Sequence, residues 1–186
     1  MGVKIGYMSE YYTEGVILNH VPRNEKDTAL TIYTKELGKI TAISKSIRKI
    51  TSKLAGHLRV GSIANLRVID AGSFQVVDAL AISNPIRSAE IFAFLKFIDD
   101  MTPQNQSDLR LWYTVREIVE SGKISEKVYR YIIELMGFAS SSEILCKRCR
   151  RGGDRVAYFY SADIIFLCTD CILSLPININ EAIKIS

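Results

Sequence analysis

The chain has 186 residues, of which 48% are hydrophobic and 24% are charged, and it carries a formal net charge of +4. This length allows one or two domains with a sizeable core, and the composition excludes a disordered or fibrous chain. No apolar run approaches the ~18 residues of a membrane helix, and the first residues lack the apolar centre of a secretory signal. We therefore expect a cytoplasmic protein without a membrane partner.

The positive charge is concentrated in the first half of the chain. Residues 1–83 contain 11 Lys and Arg against 7 Asp and Glu, whereas residues 84–186 contain 13 of each kind. The segment from Lys39 to Arg67 has no acidic residue, and apolar residues recur between its cations. Such a segment can bury one side and present cations on the other, which favours phosphate binding. Its cations are Lys39, Lys45, Arg48, Lys49, Lys53, Arg59 and Arg67. The alternative is a solvated basic surface with no partner.

The same half of the chain contains short segments with the alternating apolar pattern of β-strands. Turn residues such as Gly38 and the 70–73 loop separate them. Five short strands predict a small, nearly closed antiparallel barrel, and the oligonucleotide-binding (OB) fold is the commonest five-stranded case. Residues 45–56 fall between the third and fourth strands, where we expect a helix or a long loop. The predicted strands are Val16–Val21, Thr28–Thr34, Lys39–Ser44, Ser62–Ile69 and Phe74–Ile82.

The pattern changes to helices after residue 83. A first helix is predicted to begin at Asn84-Pro85 and to end at Thr102-Pro103. A second follows Ser107 and ends at Gly122, and a third follows Ser125 and ends at Gly137. The fold class is therefore α+β, with a barrel domain at residues 1–83 and a helical domain at residues 84–186. Four aromatic residues of the helices are predicted to be core: Phe92, Phe94, Phe97 and Tyr131.

All four cysteines lie in two C-x-x-C pairs within residues 144–173. Cys146, Cys149, Cys168 and Cys171 have the spacing C-x2-C-x18-C-x2-C, which is typical of a zinc knuckle or ribbon. Strands at Val156–Tyr160 and Ile164–Leu167 would form a hairpin between the pairs. Four thiolates fill a tetrahedron, so we predict one structural zinc ion per chain; the alternatives are disulfides or a lost metal. Nearby cations would offset the negative charge of a bound Zn(Cys)4 centre, or form a second nucleic-acid patch.

An enzyme has little support in this sequence. His20 and His57 are the only histidines, and neither lies beside a plausible nucleophile. The segment Gly56–Ser62 spaces its glycines like a phosphate-binding loop, but it lacks the lysine before Ser62 and leads into a predicted strand. We therefore expect neither catalysis nor a small-molecule substrate.

The order of these segments resembles the RecO family of bacterial recombination mediators over nearly the whole chain. The resemblance rests on Asn24–Asp27, Tyr33–Lys39, Ala42–Lys45 and Ser52–Leu54, and the cysteine element after three helices agrees with many members. Asn24 and Ser46 stand where the family commonly has Gly, which predicts differently shaped loops at these two positions.

The resemblance implies an N-terminal OB barrel, a helical domain and a zinc-binding element. It also implies binding of single- and double-stranded DNA and annealing of complementary strands. Members act with RecR and the single-stranded DNA-binding protein to load RecA during repair, at the bacterial nucleoid in the cytoplasm, and are not known as enzymes. Carried onto this sequence, the matching basic residues are Lys35, Lys39, Lys45, Arg48, Lys49, Lys53 and Arg59.

The leading hypothesis is a non-catalytic DNA-binding and strand-annealing protein. Phosphates would lie on the cations of the first half, and bases could stack on Tyr33 or Phe74. One alternative is a zinc-containing adaptor for protein interactions, in which the basic residues are incidental. Another is an RNA-binding OB protein, which competition between RNA and DNA strands would distinguish.

Overall fold

The chain divides into two compact units, Met1–Lys123 and Ile124–Ser186, and the described residues of the first unit form five strands and two helices. The computed structural model describes residues 8–47, 52–83, 88–140, 144–176, 178–179 and 182–185. The strands are β1 (Ser9–Pro22), β2 (Thr28–Thr34), β3 (Gly38–Ser44), β4 (Ile63–Asp70) and β5 (Phe74–Ser83). They pair in the order β1-β2-β3-β5-β4, and β1 also pairs with β4, so the sheet closes into a barrel. All pairs are antiparallel except β3–β5, which meet only at Ala42–Phe74 and Ile43–Gln75.

The predicted strands agree with these bounds except at β1. The ends of β2 match the prediction, and those of β3, β4 and β5 differ by at most one residue. In contrast, β1 begins at Ser9 and not at Val16, because its first half, from Ser9 to Val16, pairs with β4. That half carries exposed polar residues at Ser9 and Glu10, so it has a weaker apolar pattern than the half that pairs with β2.

The barrel is filled by apolar side chains from all five strands and from the β3–β4 connection. Ile47 and Leu58 of this connection belong to the buried cluster, and Leu54 packs against it. The amides of His57 and Leu58 both donate to the Leu54 carbonyl, which forms a helical turn. The connection therefore closes one end of the barrel, although residues 48–51 of the predicted helix or loop lie outside the described residues.

Helices α1 (Ala89–Met101) and α2 (Leu109–Ser121) complete the first unit. The predicted start of the first helix at Asn84-Pro85 lies outside the described residues; α1 begins after Ser88, whose hydroxyl accepts from the Ile91 amide at 3.2 Å. Asp108 caps α2, and Gly122 ends it with a φ of 67°, as predicted. The predicted domain boundary at residue 83 stays a prediction.

The core prediction for the helix aromatics was half wrong. Phe94 and Phe97 are buried, but Phe92 is 46% and Tyr131 is 51% exposed. In α1 the buried face is formed by Ile91, Phe94, Leu95 and Ile98, and Phe92 lies outside it. Trp112 of α2, which the prediction omitted, is fully buried, with its ring centroid 6.3 Å from that of Tyr33.

The second unit contains α3 (Glu126–Leu135) and a small three-stranded sheet. Its strands β6 (Val156–Tyr160), β7 (Ile165–Cys168) and β8 (Ile183–Lys184) have the order β7-β6-β8, and a short helix α4 (Thr169–Ile172) follows β7. The predicted hairpin between the cysteine pairs is confirmed, with β7 shifted by one residue. Among the described residues, no helix is long and apolar enough to cross a membrane.

Candidate nucleic-acid interface and cysteine site

The eight cations predicted to bind DNA lie in different environments. Arg48 and Lys49 lie outside the described residues. Lys45, Lys53 and Arg59 are exposed. The remaining three, Lys35, Lys39 and Arg67, each have an acidic partner.

Lys39 is a core residue and not a surface cation. Only 7% of the residue is exposed, and its Nζ lies 3.5 Å from a carboxylate oxygen of Asp99 in α1. The ammonium also donates to the Asp99 carbonyl oxygen. This pairing neutralises the charge of Lys39 inside the first unit, so little of it is available to a phosphate.

Lys35 and Arg67 line one groove of mixed charge, with a volume of about 370 Å³. Arg67 forms an ion pair with Glu10, and its guanidinium holds the pKa of the Glu10 carboxyl below its usual value. Lys35 lies 4.0 Å from Glu36. The same groove is lined by the carboxylates of Glu14, Glu36 and Asp78. Because cations and carboxylates are interspersed here, the groove is a weak site for a polyanion.

A second groove, with a volume of about 410 Å³, lies where the β1–β2 loop approaches the start of β5. We call it the loop-end groove. Its floor is largely apolar, and Arg23 stands at its edge. Lys26 and Lys45 are both exposed. They lie at the same end of the sheet, because Thr28 of β2 pairs with both Pro22 and Ser44. The lining residues are Val21, Pro22, Arg23, Ala29, Thr41, Ile43, Ser73 and Phe74.

The sequence predicted some of the residues of the loop-end groove and missed others. Phe74 was predicted as a stacking residue, and it is half-buried in the groove lining. Tyr33, the other predicted stacking residue, is 1% exposed and packs against Trp112, so it cannot contact a base. Arg23 and Lys26 were not predicted, because they share a loop with Glu25 and Asp27 and lie outside the acid-free segment from Lys39 to Arg67.

The four cysteines of the second unit come together as their spacing predicted. Their sulfur atoms all lie within 4.8 Å of one another, and the Sγ atoms of Cys149 and Cys168 are 3.7 Å apart. Tetrahedral zinc bonds of ~2.3 Å place two thiolates at about this separation. All four are free thiols, so the disulfide alternative is wrong for this structure. The donor set and its geometry therefore fit a metal ion that prefers sulfur.

Two turns and a strand end position the sulfur atoms. The Lys147 amide donates to the Phe166 carbonyl at 2.8 Å, which ties the first cysteine pair to β7. The Arg150 amide donates to the Cys146 carbonyl at 2.9 Å, and Arg150 has a φ of 61°. Cys168 ends β7, and Cys171 lies in α4.

The thiols of the cluster differ in acidity. Burial opposes the ionisation of Cys146, but hydrogen bonds from the backbone at Cys149, Cys168 and Arg148 outweigh it and lower its pKa to about 6. A hydrogen bond with Cys168, together with burial, raises the pKa of Cys171 to about 12. A divalent cation that binds to these thiols would displace their protons, so its binding would depend on pH. Four sulfur ligands would leave no position for a reacting water, which is typical of a structural site.

The first unit and the cysteine cluster together define a class, that of α+β barrel proteins with a cysteine site suited to a metal. The family described as Recombination protein O N terminal matches residues 8–85. The DNA repair protein RecO of Dehalococcoides mccartyi (strain ATCC BAA-2100) is 26% identical over 189 residues, covering 92% of this chain and 75% of that protein. The DNA repair protein RecO of Caldanaerobacter subterraneus is 22% identical over 174 residues, covering 86% of this chain and 70% of that protein. These matches support a relation of this chain to the RecO family.

Proposed function

We propose that this chain is a non-catalytic DNA-binding protein of recombinational repair. It binds single- and double-stranded DNA, anneals complementary strands and acts as a mediator that helps to load RecA. The observation that carries the proposal is the loop-end groove, which combines an apolar floor with nearby exposed cations. Similarity to the RecO family supports it, since the relatives are named DNA repair proteins.

We infer that the barrel is of the OB type. OB folds bind oligonucleotides across strands 2 and 3, between the loops that join strands 1 to 2 and 4 to 5. The loop-end groove lies in the corresponding place: Ala29 belongs to β2, Ile43 to β3, Arg23 to the β1–β2 loop and Ser73 to the β4–β5 loop. The position of the groove in the fold therefore agrees with its proposed ligand.

In this groove the phosphates and the bases of a single strand would contact different side chains. Arg23, Lys26 and Lys45 supply cations for the phosphates. We propose that the exposed Lys53 and Arg59, and also Arg48 and Lys49, bind further phosphates. Phe74 offers its ring to a base, since stacking on an aromatic side chain is tolerant of sequence. Annealing follows from neutralisation, because two polyanions held on cations repel each other less.

We further propose that Cys146, Cys149, Cys168 and Cys171 hold one structural zinc ion. The ion would cross-link the first cysteine pair to β7 and α4 and so stabilise the second unit. The exposed cations Lys147, Arg148, Arg150 and Arg151 would then offset the charge of the centre. RecR and the single-stranded DNA-binding protein are the proposed protein partners, and the bacterial cytoplasm at the nucleoid is the proposed location. Both proposals rest on the similarity to the RecO family.

The proposal is tested by the salt dependence of DNA affinity. A variant with Arg23→Ala, Lys26→Ala and Lys45→Ala loses cations at the groove and should bind labelled single-stranded DNA more weakly. The slope of log affinity against log salt should become shallower by about 2, because each lost phosphate contact on a single strand changes it by ~0.7. Fluorescence anisotropy over a range of salt concentrations measures both quantities.

The matched control is the double variant Lys35→Ala and Arg67→Ala in the mixed-charge groove. Because acidic side chains lie near both cations, this variant should change the slope by much less than the ~1.4 expected for two phosphate contacts. An unchanged slope in the triple variant would remove the loop-end groove from the mechanism. Annealing of complementary oligonucleotides, and competition with RNA of the same sequence, test the remaining parts of the proposal.

A further inference from the structure

The β1–β2 loop, residues 23–27, is closed by a network centred on one amide and one carboxylate. The Asn24 side-chain oxygen accepts from the amides of Lys26 at 2.8 Å and Asp27 at 2.7 Å. The Asn24 side-chain nitrogen donates to an Asp27 carboxylate oxygen at 2.9 Å. The Arg23 amide donates to the Asp27 carbonyl at 3.1 Å. These bonds fix the loop as a tight turn, as Asn and Asp side chains commonly do.

Asp27 also ties this loop to the end of β3. Its other carboxylate oxygen accepts from the backbone amide of Ser46 at 2.8 Å. Ser46 has a φ of 56°, in the left-handed region that is strained for a residue with a side chain. A conformation of this kind is kept where surrounding contacts hold it, and the Asp27 carboxylate supplies one such contact. A single acidic side chain therefore joins two loops that are 19 residues apart in the chain.

The cations of the proposed groove lie on both sides of this tie. Arg23 precedes the turn, and Lys45 precedes Ser46. The hydrogen bonds from Asn24 and Ser46 hold the pKa of the Asp27 carboxyl below its usual value, and the charges of Lys45 and Arg23 act in the same direction. Asp27 is thus ionised at neutral pH and lies close to two of the cations that we propose contact DNA.

We propose that Asp27 is a positioning residue for DNA binding, which holds the β1–β2 loop and the end of β3 together so that Arg23 and Lys45 share one end of the groove. This inference rests on the proposed function of the groove. The inference predicts a change in DNA affinity opposite to the one expected for the loss of an acidic residue. A carboxylate beside a phosphate site normally weakens DNA binding, so its removal should raise affinity. If Asp27 positions the cations, its removal should lower affinity.

Glu25 provides the matched control, because it lies in the same loop, is exposed and carries the same charge. In an anisotropy titration with single-stranded DNA, Asp27→Ala should weaken binding by about fivefold, the size expected for a lost hydrogen-bonded constraint. The salt slope should become shallower, by up to ~0.7 for each of Arg23 and Lys45 that no longer contacts a phosphate. Glu25→Ala should leave affinity unchanged or raise it.

Two further variants separate positioning from loss of folding. Asp27→Asn keeps an oxygen that can accept from the Ser46 amide, so it should restore affinity to within about twofold of the wild type. Asn24→Ala changes no charge, and it should weaken binding in the same direction as Asp27→Ala even if the latter fails to fold. Circular dichroism melting of each variant checks that the first unit is folded.

The possible results distinguish this inference from the function on which it rests. If the wild type binds and Asp27→Ala binds as well or better, with Asn24→Ala also unchanged, the positioning role is wrong and the groove proposal stands. If the wild type shows no salt-dependent binding, the proposed function fails, and the positioning role fails with it.

Discussion

Replacing Gly38 with alanine should destabilise the first unit strongly. Gly38 begins β3 with a φ of 68°, and it lies against the backbone of the α1–α2 loop, residues 102–108. A Cβ atom built at this position would lie 2.8 Å from the Ser107 amide nitrogen and closer still to the Gln106 carbonyl group. Carbon atoms in contact prefer separations of ~3.5–4.0 Å, and both neighbours are backbone, so one of the two segments must move.

Two costs add in the Gly38→Ala variant. A left-handed φ costs alanine about 1 kcal/mol relative to glycine, and overpacking against a fixed neighbour costs about 1–3 kcal/mol. Their sum, about 2–4 kcal/mol, corresponds to a fall of about 5–15 °C in the melting temperature of a chain of this size. Movement of the α1–α2 loop would also break the 2.8 Å hydrogen bond from the Asn105 amide to the Lys39 carbonyl.

Variants of two other glycines separate the conformational cost from the packing cost. Thermal melting and urea titration measure the loss of stability in each variant. Gly72 has a φ of 88° and no atom within 4 Å of a built Cβ, so Gly72→Ala should show only the conformational cost of about 1 kcal/mol. Gly56 has neither a left-handed φ nor a close neighbour, so Gly56→Ala should be close to neutral. Equal losses for Gly38→Ala and Gly72→Ala would refute the packing argument.

The remaining predictions concern the metal site, a buried ion pair and a histidine. Chelation at neutral pH should release one zinc ion per chain, measured with a colorimetric indicator, and should lower the melting temperature of the second unit. Asp99→Ala should lower the free energy of unfolding in urea by about 3 kcal/mol, because the ammonium of Lys39 stays buried without its carboxylate. The control Asp100→Ala should have little effect, since Asp100 pairs with the exposed Lys96. Burial lowers the pKa of His20 from its usual 6.5. The unfolded chain therefore binds this proton more readily, and stability should fall as the pH drops below 6.5, less steeply in His20→Gln.

Local patterns in the sequence were sufficient for most of the elements. The alternation of Thr28–Thr34 and the turn at Gly38 predicted the β2–β3 hairpin, and the spacing of the cysteines predicted their cluster. These features depend on periods and turns within a few residues, which a single sequence contains in full.

The environment of individual charges could not be read from the sequence in the same way. Lys39 appeared as part of a basic segment, but its partner Asp99 is 60 residues later and reaches it only through the packing of α1 on the barrel. The charge of Arg23 does not stand out in the sequence because acidic residues share its loop, although in the fold the Asp27 carboxylate accepts from the Ser46 backbone amide. Whether a cation is exposed depends on the residues that the fold brings next to it, which the composition of a segment does not show.

The brief contact between β3 and β5 has a consequence for any shortened form of the protein. These strands meet at only two residue pairs, and on the outer edge of β3 the Lys39 carbonyl accepts a hydrogen bond from the Asn105 amide instead. A polypeptide ending at Ser83 would expose that edge to solvent, and unpaired strand edges invite association with other chains. Self-association of such a fragment is therefore to be expected, even though every strand of the barrel would be present.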